Sequence, residues 1–500
     1  MAAGGIVKYG ISGPLFVEGV TPPAVPAEFR GVWIATVGNI DWPSKPGLPV
    51  GEMKSELTRL ISSARATGFN AIIFQVRPAC EVLYPSSLEP WSEVLTGTCG
   101  RAPDDGFDPL AFAIRETHRL GMEFHAWLNP FRARHHTAKS EPPAEHISVT
   151  RPDWVQEYGS YLWLDPGVQG AQDHTLAVIR EICQRYQVDG IHLDDYFYPY
   201  PQKRKDGREL EFPDWKTFEK YRDNGGELNH GDWRRSCIDR FVFNLYQNVR
   251  NEFPAIKVGI SPFGIWRPGY PEGIQGKDSF ETLHADSRKW LNLGWLDYCA
   301  PQLYWKLSSK GQPYEPLQHW WAKENLKQRH LYPGLNLSNA GLGKWDMSEI
   351  NLQIQSTRNN RNVHGNIHFS AKYLLADAEE MVGWNLRRGL YSGQALVPVM
   401  PWLNGSKSPP KPPRASVRTG EKEGKPGWIV RWQPESKFEF IRNWLIQSRA
   451  GGSWDYSIMS PGANAVFIPM DHRANLDMVS IRQVDRQNRP SPAVSFQLSP

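Results

Sequence analysis

Eight short apolar runs, each followed by a helical stretch or a long excursion, constrain this chain more than any other feature. They lie at 29–37 (FRGVWIATV), 71–76 (AIIFQV), 123–129 (EFHAWLN), 190–198 (GIHLDDYFY), 257–263 (KVGISPF), 296–304 (LDYCAPQLY), 331–337 (LYPGLNL) and 366–373 (NIHFSAKY). Turn formers bound each run. The near-continuous apolar texture is that of parallel strands buried on both faces. Between them, 52–67 and 109–120 stop before Gly68 and Gly121, good left-handed helix ends, and 171–186 and 234–253 repeat apolar residues at helical spacing. The alternation predicts an α/β chain built on a (β/α)8 TIM barrel. An open doubly wound sheet would show a Gly-rich phosphate turn after its first strand, and VGNIDWP is not one. Two long connections, 131–170 and 199–233, leave C-terminal strand ends and are predicted cleft walls.

The texture changes at Asn404. NGSKSPPKPPR reads as a Pro-rich linker, 404–414, and the short alternating runs after it predict a small β-sandwich of fibronectin type III kind over 415–500. The barrel is assigned to 28–403 and an N-terminal segment to 1–27. Met-Ala-Ala-Gly-Gly has no basic and apolar leader pattern, so the chain is expected either to stay in the cytosol or to be exported with its signal already removed. No run of 18 apolar residues exists, so no transmembrane segment is expected. The 57 basic and 53 acidic residues show no positive cluster of the sort that binds nucleic acid. Five cysteines include no C-x-x-C pair; in an exported chain, Cys80 and Cys99 would be placed to staple the segment between them. Neither H-x-H on the first strand, nor HEXXH, nor an EF-hand loop is present, so no metal and no cofactor is expected, and the missing Gly-x-Ser-x-Gly elbow counts against an α/β-hydrolase.

Chemistry concentrates on the fourth run, Asp189-Gly190-Ile191-His192-Leu193-Asp194-Asp195-Tyr196. Strand alternation puts His192, Asp194 and Tyr196 on one face and Asp195 on the other. Charged residues at a barrel strand end read as functional, and adjacent carboxylates repel, which raises one of them toward general-acid range. Two further carboxylates in the loop after the second run, Glu81 and Glu89, are alternatives for an acid/base partner. Polar and aromatic residues at other strand ends converge on the same mouth: Gln75, Arg77, His125, Trp127, Asn129, Ser261, Gln302, Tyr304, Trp305, Asn336, His368 and Ser370. Arg30 and Asp41, at either end of the first strand, pair with substrate or with each other. Trp is abundant, 21 residues, and indoles offer sugars a flat apolar face.

The runs EFRGVWIATVGNIDWPSKPG, IIFQVRPACEVLYPSSLEPWSEVLTG, VDGIHLDDYFYPYP, GDWRR, GISPFGIWRPG and DYCAPQLYW occur in this order between Glu28 and Tyr373. Together they resemble the glycosyl-hydrolase-like family ten proteins. The resemblance implies a (β/α)8 bacterial cell-wall glycosidase, exported to the periplasm or cell surface, often lipid-anchored, acting on peptidoglycan strands stripped of stem peptides. Strand four also resembles, more distantly, the chitinase DGxDxDxE pattern, with His192 in place of an Asp and Tyr196 in place of the acid. The Asp194-Asp195 pair looks more like barrels in which one Asp orients an acetamido group and its neighbour donates the proton, the substrate-assisted route. Two alternatives stay open: a non-catalytic glycan-binding barrel, and a glycosidase of another extracellular polysaccharide.

Overall fold

The computed structural model describes residues 14–375, 382–404, 408–435, 441–470 and 476–498. Parts of the expected N-terminal segment and linker, 1–13 and 405–407, lie outside them. The chain forms two compact units, Glu28–His118 with Met122–Gly393, and Met1–Ala27 with Arg119–Gly121 and Gln394–Pro500.

The first unit holds a parallel sheet of β1 (Phe29–Ile34), β2 (Ala71–Arg77), β3 (Glu123–Leu128), β4 (Gly190–Leu193), β5 (Lys257–Ile260), β6 (Tyr298–Cys299), β7 (His330–Leu331), β8 (Gly334–Asn336) and β9 (Gly365–Phe369). The strand order is β7-β6-β5-β4-β3-β2-β1-β9-β8. The seventh apolar run is two strands because Pro333, with no N–H to donate, interrupts the ladder. Those two pieces stand at opposite ends of the order yet are consecutive in the chain, so the sheet curls back on itself into a TIM-barrel-like α/β domain. Helices Val50–Thr67, Pro109–Arg119, Gln169–Arg185, His230–Glu252, Ser287–Leu293, Tyr314–Lys323, Met347–Asn359 and Val382–Arg388 follow successive strand positions. The first ends at Gly68, whose φ of 105° is a left-handed cap.

Large rings fill the barrel floor. Phe29 stacks on Tyr332 with centroids 4.1 Å apart, and Tyr298 lies beside both. Gly259 makes room for Tyr298: a Cβ there would sit 1.9 Å from that ring. Gly259→Ala is therefore expected to destabilise the fold by at least about 1–3 kcal/mol, the usual penalty of overpacking. A lowered urea midpoint at unchanged m-value would show it; an unchanged midpoint would mean that the floor can yield.

The excursion after β3 builds a three-stranded antiparallel sheet from Arg132–Arg134, Tyr161–Leu164 and Val155–Tyr158. The second unit contains two antiparallel sheets. Arg414–Lys422, Lys425–Gln433 and Ala465–Pro469 form one; Leu15–Val17, Val494–Gln497, Leu476–Asp485, Ile441–Ala450 and Ser453–Met459 form the other. Trp428, Val430 and Trp432 share one core with Trp444, Val479 and Ile481 across the sheets. Strand Ser453–Met459 is absent from the sequence-based expectation, although Gly451-Gly452 before it is a hairpin signal and both have positive φ.

The Cys80–Cys99 staple is not formed, and all five cysteines are free thiols. Cys80 Sγ instead takes a hydrogen bond from Arg77 Nη2 at 3.1 Å, and the Cys99 thiol bonds Glu81. No helix among the described residues is long and apolar enough to cross a membrane.

Candidate active site

A cavity of about 460 Å³ opens at the C-terminal ends of the barrel strands. Gln75, Trp127, Asn129, Asp194, Tyr196, Ser261, Gln302 and Tyr304 line it. Alternation explains the selection. Along β3, Glu123, His125, Trp127 and Asn129 share the inner face at rising heights, so the first two are buried in the floor and the last two reach the mouth.

The strand of Asp194 ends at Leu193, and the two carboxyls beyond it stay within hydrogen-bond reach of each other. Asp194 stays on the cavity wall, accepting from the Asp195 backbone N–H at 2.8 Å and from Gln302 Nε2 at 3.3 Å. Asp195 turns away from the lining and accepts from the Tyr200 hydroxyl. The carboxyls also bond each other. Burial raises the pKa of Asp194, and burial followed by repulsion from Asp194 raises that of Asp195 well above the carboxylate range. Of the two, Asp195 is therefore the carboxyl more strongly biased toward its protonated form.

Beneath the cavity runs a directional chain of hydrogen bonds. An indole N–H can only donate, so Trp33 donates to His192 Nε2 at 3.2 Å, which Ser261 Oγ also approaches at 3.0 Å. His192 Nδ1–H then donates to the Tyr298 hydroxyl at 2.9 Å, which donates to His125 Nδ1 at 2.8 Å. His125 Nε2–H donates to Glu123 at 3.0 Å, and Lys257 caps the chain with a 2.5 Å ion pair. Burial pushes both imidazoles below their usual pKa and keeps them neutral. His125 and His192 thus orient Trp33 and Ser261 from below the cavity. Tyr298→Phe leaves two buried ring nitrogens unpaired and is expected to cost about 1–3 kcal/mol, read as a lower melting temperature.

Several sequence candidates lie elsewhere. Arg77 and Glu89 form a fully buried pair at 2.5 Å, joined by His174 at 2.9 Å, and neither lines the cavity. Glu81 accepts from the Glu93 N–H at the start of the helical turn Glu93–Thr96, and burial raises it to about 7. Arg30 and Asp41 do not meet: Arg30 pairs with Glu28 at 2.7 Å, while Asp41 accepts from Ala35 N, Ser370 Oγ and Lys372 N. Trp305 packs edge-on against Phe263, and Asn336 caps the short helix Leu337–Gly341. His368 faces outward to Tyr391 rather than the mouth, because β9 turns Phe369 to the cavity.

The cavity also uses residues that sequence reasoning missed: Trp33, Arg132, His135, Thr137 and Phe369. Trp33 shares a face with Phe29 and Gly31, a parity available in the sequence. Arg132 and His135 belong to an excursion without core periodicity. Burial lowers His135 to about 3, and its Nδ1 accepts from the Thr137 N–H at 3.3 Å with the Thr137 hydroxyl 2.7 Å away, which leaves the proton on Nε2. Among the lining residues, Gln75 Nε2, Trp127 Nε1, Arg132 Nε and Asn129 Oδ1 are buried with no partner among the described residues. Three unpaired donors, one unpaired acceptor and aromatic faces suit a ligand that carries oxygen acceptors and hydroxyls on a ring with a flat apolar face.

The family model described as glycosyl hydrolase-like 10 matches residues 28–344. The chain is 40% identical over 409 residues to "Glycosyl hydrolase YngK" of Bacillus subtilis (strain 168), covering 79% of this chain and 78% of that protein. It is 33% identical over 349 residues to "Glycosyl hydrolase DigH" of Escherichia coli (strain K12), covering 65% of this chain and 77% of that one. Among solved structures, the catalytic domain of a β-amylase from Paenibacillus polymyxa aligns with a TM-score of 0.48 at 13% identity, covering 74% of this chain and 100% of that one. The PgaB (BpsB) glycoside hydrolase domain from Bordetella bronchiseptica aligns at 0.45 and 13%, covering 68% and 94%.

Proposed function

The chain belongs to the glycosyl hydrolase-like 10 family, and on that premise we propose that it hydrolyses glycosidic bonds in an amino-sugar polymer, first of all peptidoglycan strands lacking stem peptides. The observation that carries this reading is the buried Asp194–Asp195 pair, with both carboxyls raised and Asp194 on the wall of a cavity edged by indoles and unpaired donors. A two-carboxylate scheme needs a carboxyl on each side of the scissile bond. Among the described residues Asp194 is the carboxylate that lines the cavity, which favours nucleophilic help from the substrate's own acetamido group.

In that scheme the acetamido oxygen attacks C1 while a proton moves from Asp195 through Asp194 to the glycosidic oxygen. The C1–O bond breaks and the leaving sugar departs as an alcohol. The Tyr200 O–H stabilises the Asp195 carboxylate, and Asp194 faces the positively charged oxazolinium. Water then adds at C1, and the pair regains its proton. Export to the cell wall, with a lipid anchor, and a fibronectin type III-like C-terminal domain over 415–500 complete the reading.

The test is incubation with purified strands free of stem peptides and with intact sacculi, followed by mass spectrometry of soluble muro-oligosaccharides. Release from bare strands is expected, and N-deacetylated strands should resist. No release from either, with binding retained, would make the protein a glycan binder instead.

A further inference from the structure

Four buried arginines of the first unit have carboxylate partners: Arg30 with Glu28, Arg77 with Glu89, Arg234 with Asp214, and Arg235 with Asp232 and Glu281. Arg132 does not. It is 3% exposed, it lines the cavity, and no described carboxylate forms an ion pair with it. Its Nη1 donates to the Pro78 carbonyl at 3.2 Å, while its buried Nε finds no partner among the described residues. The guanidinium lies 4.3 Å above the Tyr196 ring and 5.7 Å from that of Trp163. Stacking of this kind fixes the plane of the fork before any ligand arrives. A buried cation without a counter-ion is costly unless an anion completes it. Asp194 feels the charge of Arg132 but stands outside ion-pair distance.

The neighbouring donors have the same polarity. Gln75 Oε1 is taken by the backbone N–H groups of Thr36 and Val37, so its NH2 is held in one orientation, and that NH2 is unpaired. Trp127 Nε1 is unpaired as well.

We propose that Arg132 binds a carboxylate carried by the sugar in this cavity, so that the site selects an acidic glycan over its neutral counterpart. The proposal rests on the glycan reading of the same cavity and names the substituent that it recognises. Two sources supply a carboxylate on a pyranose, a lactyl ether or a uronic acid, and the guanidinium fork suits both.

Binding is measured by calorimetry with wild type, Arg132→Gln and Arg132→Lys. The probes are bare peptidoglycan strands, the same strands with their carboxyls reduced to alcohols, and hyaluronan oligosaccharides. Reduction is expected to weaken binding to wild type about 10- to 100-fold, the value of a charge-assisted hydrogen bond. Arg132→Gln should bind acid and reduced strands about equally, and an unchanged thermal melting curve shows that it is folded. Arg132→Lys should recover part of the preference. Binding of hyaluronan alone, dependent on Arg132, keeps the proposal and assigns the carboxylate to a uronic acid. Equal affinity of wild type for acid and reduced strands overturns it, as does binding of none of the probes. Product release is read on the same mixtures. Carboxylate-selective binding without release retires the glycosidase reading and leaves Arg132 in place; equal binding with release retires Arg132 alone.

Discussion

Asp194→Asn is expected to lower kcat on bare glycan strands by about 10³-fold while leaving their Kd within about threefold. The substitution is nearly isosteric. An amide oxygen still accepts from the Asp195 N–H and from Gln302 Nε2, so the strand end keeps its shape. What is lost is the group able to carry a proton between Asp195 and the cavity. Asp195→Asn separates storage from delivery. Burial and the Asp194 charge hold the Asp195 carboxyl well above its ordinary range, so the wild-type pair keeps a proton to higher pH than an ordinary carboxyl would. Activity then falls at the pH where that proton is lost. In the Asp195→Asn variant the repulsion is gone, Asp194 is the lone acid, and the alkaline limb of kcat/KM should move to lower pH. An unmoved limb would place the essential acid elsewhere. A large rise in Kd for Asp194→Asn would mean that this carboxylate binds substrate rather than serving turnover.

The positions of the barrel strands are legible because a parallel strand buried on both faces leaves an apolar run that little else in a soluble chain produces. Their lengths are not. The strands stop at Leu193 and Cys299, and Asp194, Tyr196, Gln302 and Tyr304 beyond them line the cavity, with Gln302 still bridged to Phe263 and Gly334. Alternation then places Trp127, Asn129 and Asp194 together, since one inward residue per strand sets the rest. It misplaces Arg30 and His368, because polarity suggests the inner face where Gly31 and Phe369 are the residues that turn inward. Arg132 is out of reach for another reason. Its excursion makes a small sheet of its own, and neither barrel parity nor helical spacing applies there. Ion-pair choice is a third limit: Arg77 and Glu89 are twelve residues apart, and only the folded loop shows that each satisfies the other.

Glu89→Ala is expected to destabilise the first unit by about 3–5 kcal/mol, the usual cost of stranding a buried charge. Both side chains are essentially without solvent exposure. Arg77 Nε and Nη2 donate to the two Glu89 oxygens at 2.8 and 2.5 Å, and Nη1 donates to the carbonyls of Asn129 and Pro130 at 2.5 and 3.1 Å. The pair therefore anchors the segment that presents Asn129 to the cavity. Burial alone would raise the Glu89 carboxyl, but the Arg77 guanidinium and His174 hold it down at about 2, against 4.5 for an unperturbed Glu. A depressed carboxylate stabilises the fold above its unfolded pKa. Its contribution should be complete above about pH 4.5 and be lost as the pH falls from there toward about 2. Glu89→Gln keeps the shape and removes the charge, so it should flatten that acid limb of the stability curve. Glu89 at about 2 is also too acidic to hold a proton for a leaving group at neutral pH, so it makes a poor general acid beside the Asp194 pair. Equilibrium unfolding from about pH 2 to 7, run beside kcat on the same variants, decides between the two roles. A structural Glu89 loses stability first and turnover only as the fold loosens. Lost turnover at wild-type stability would instead return Glu89 to the chemistry.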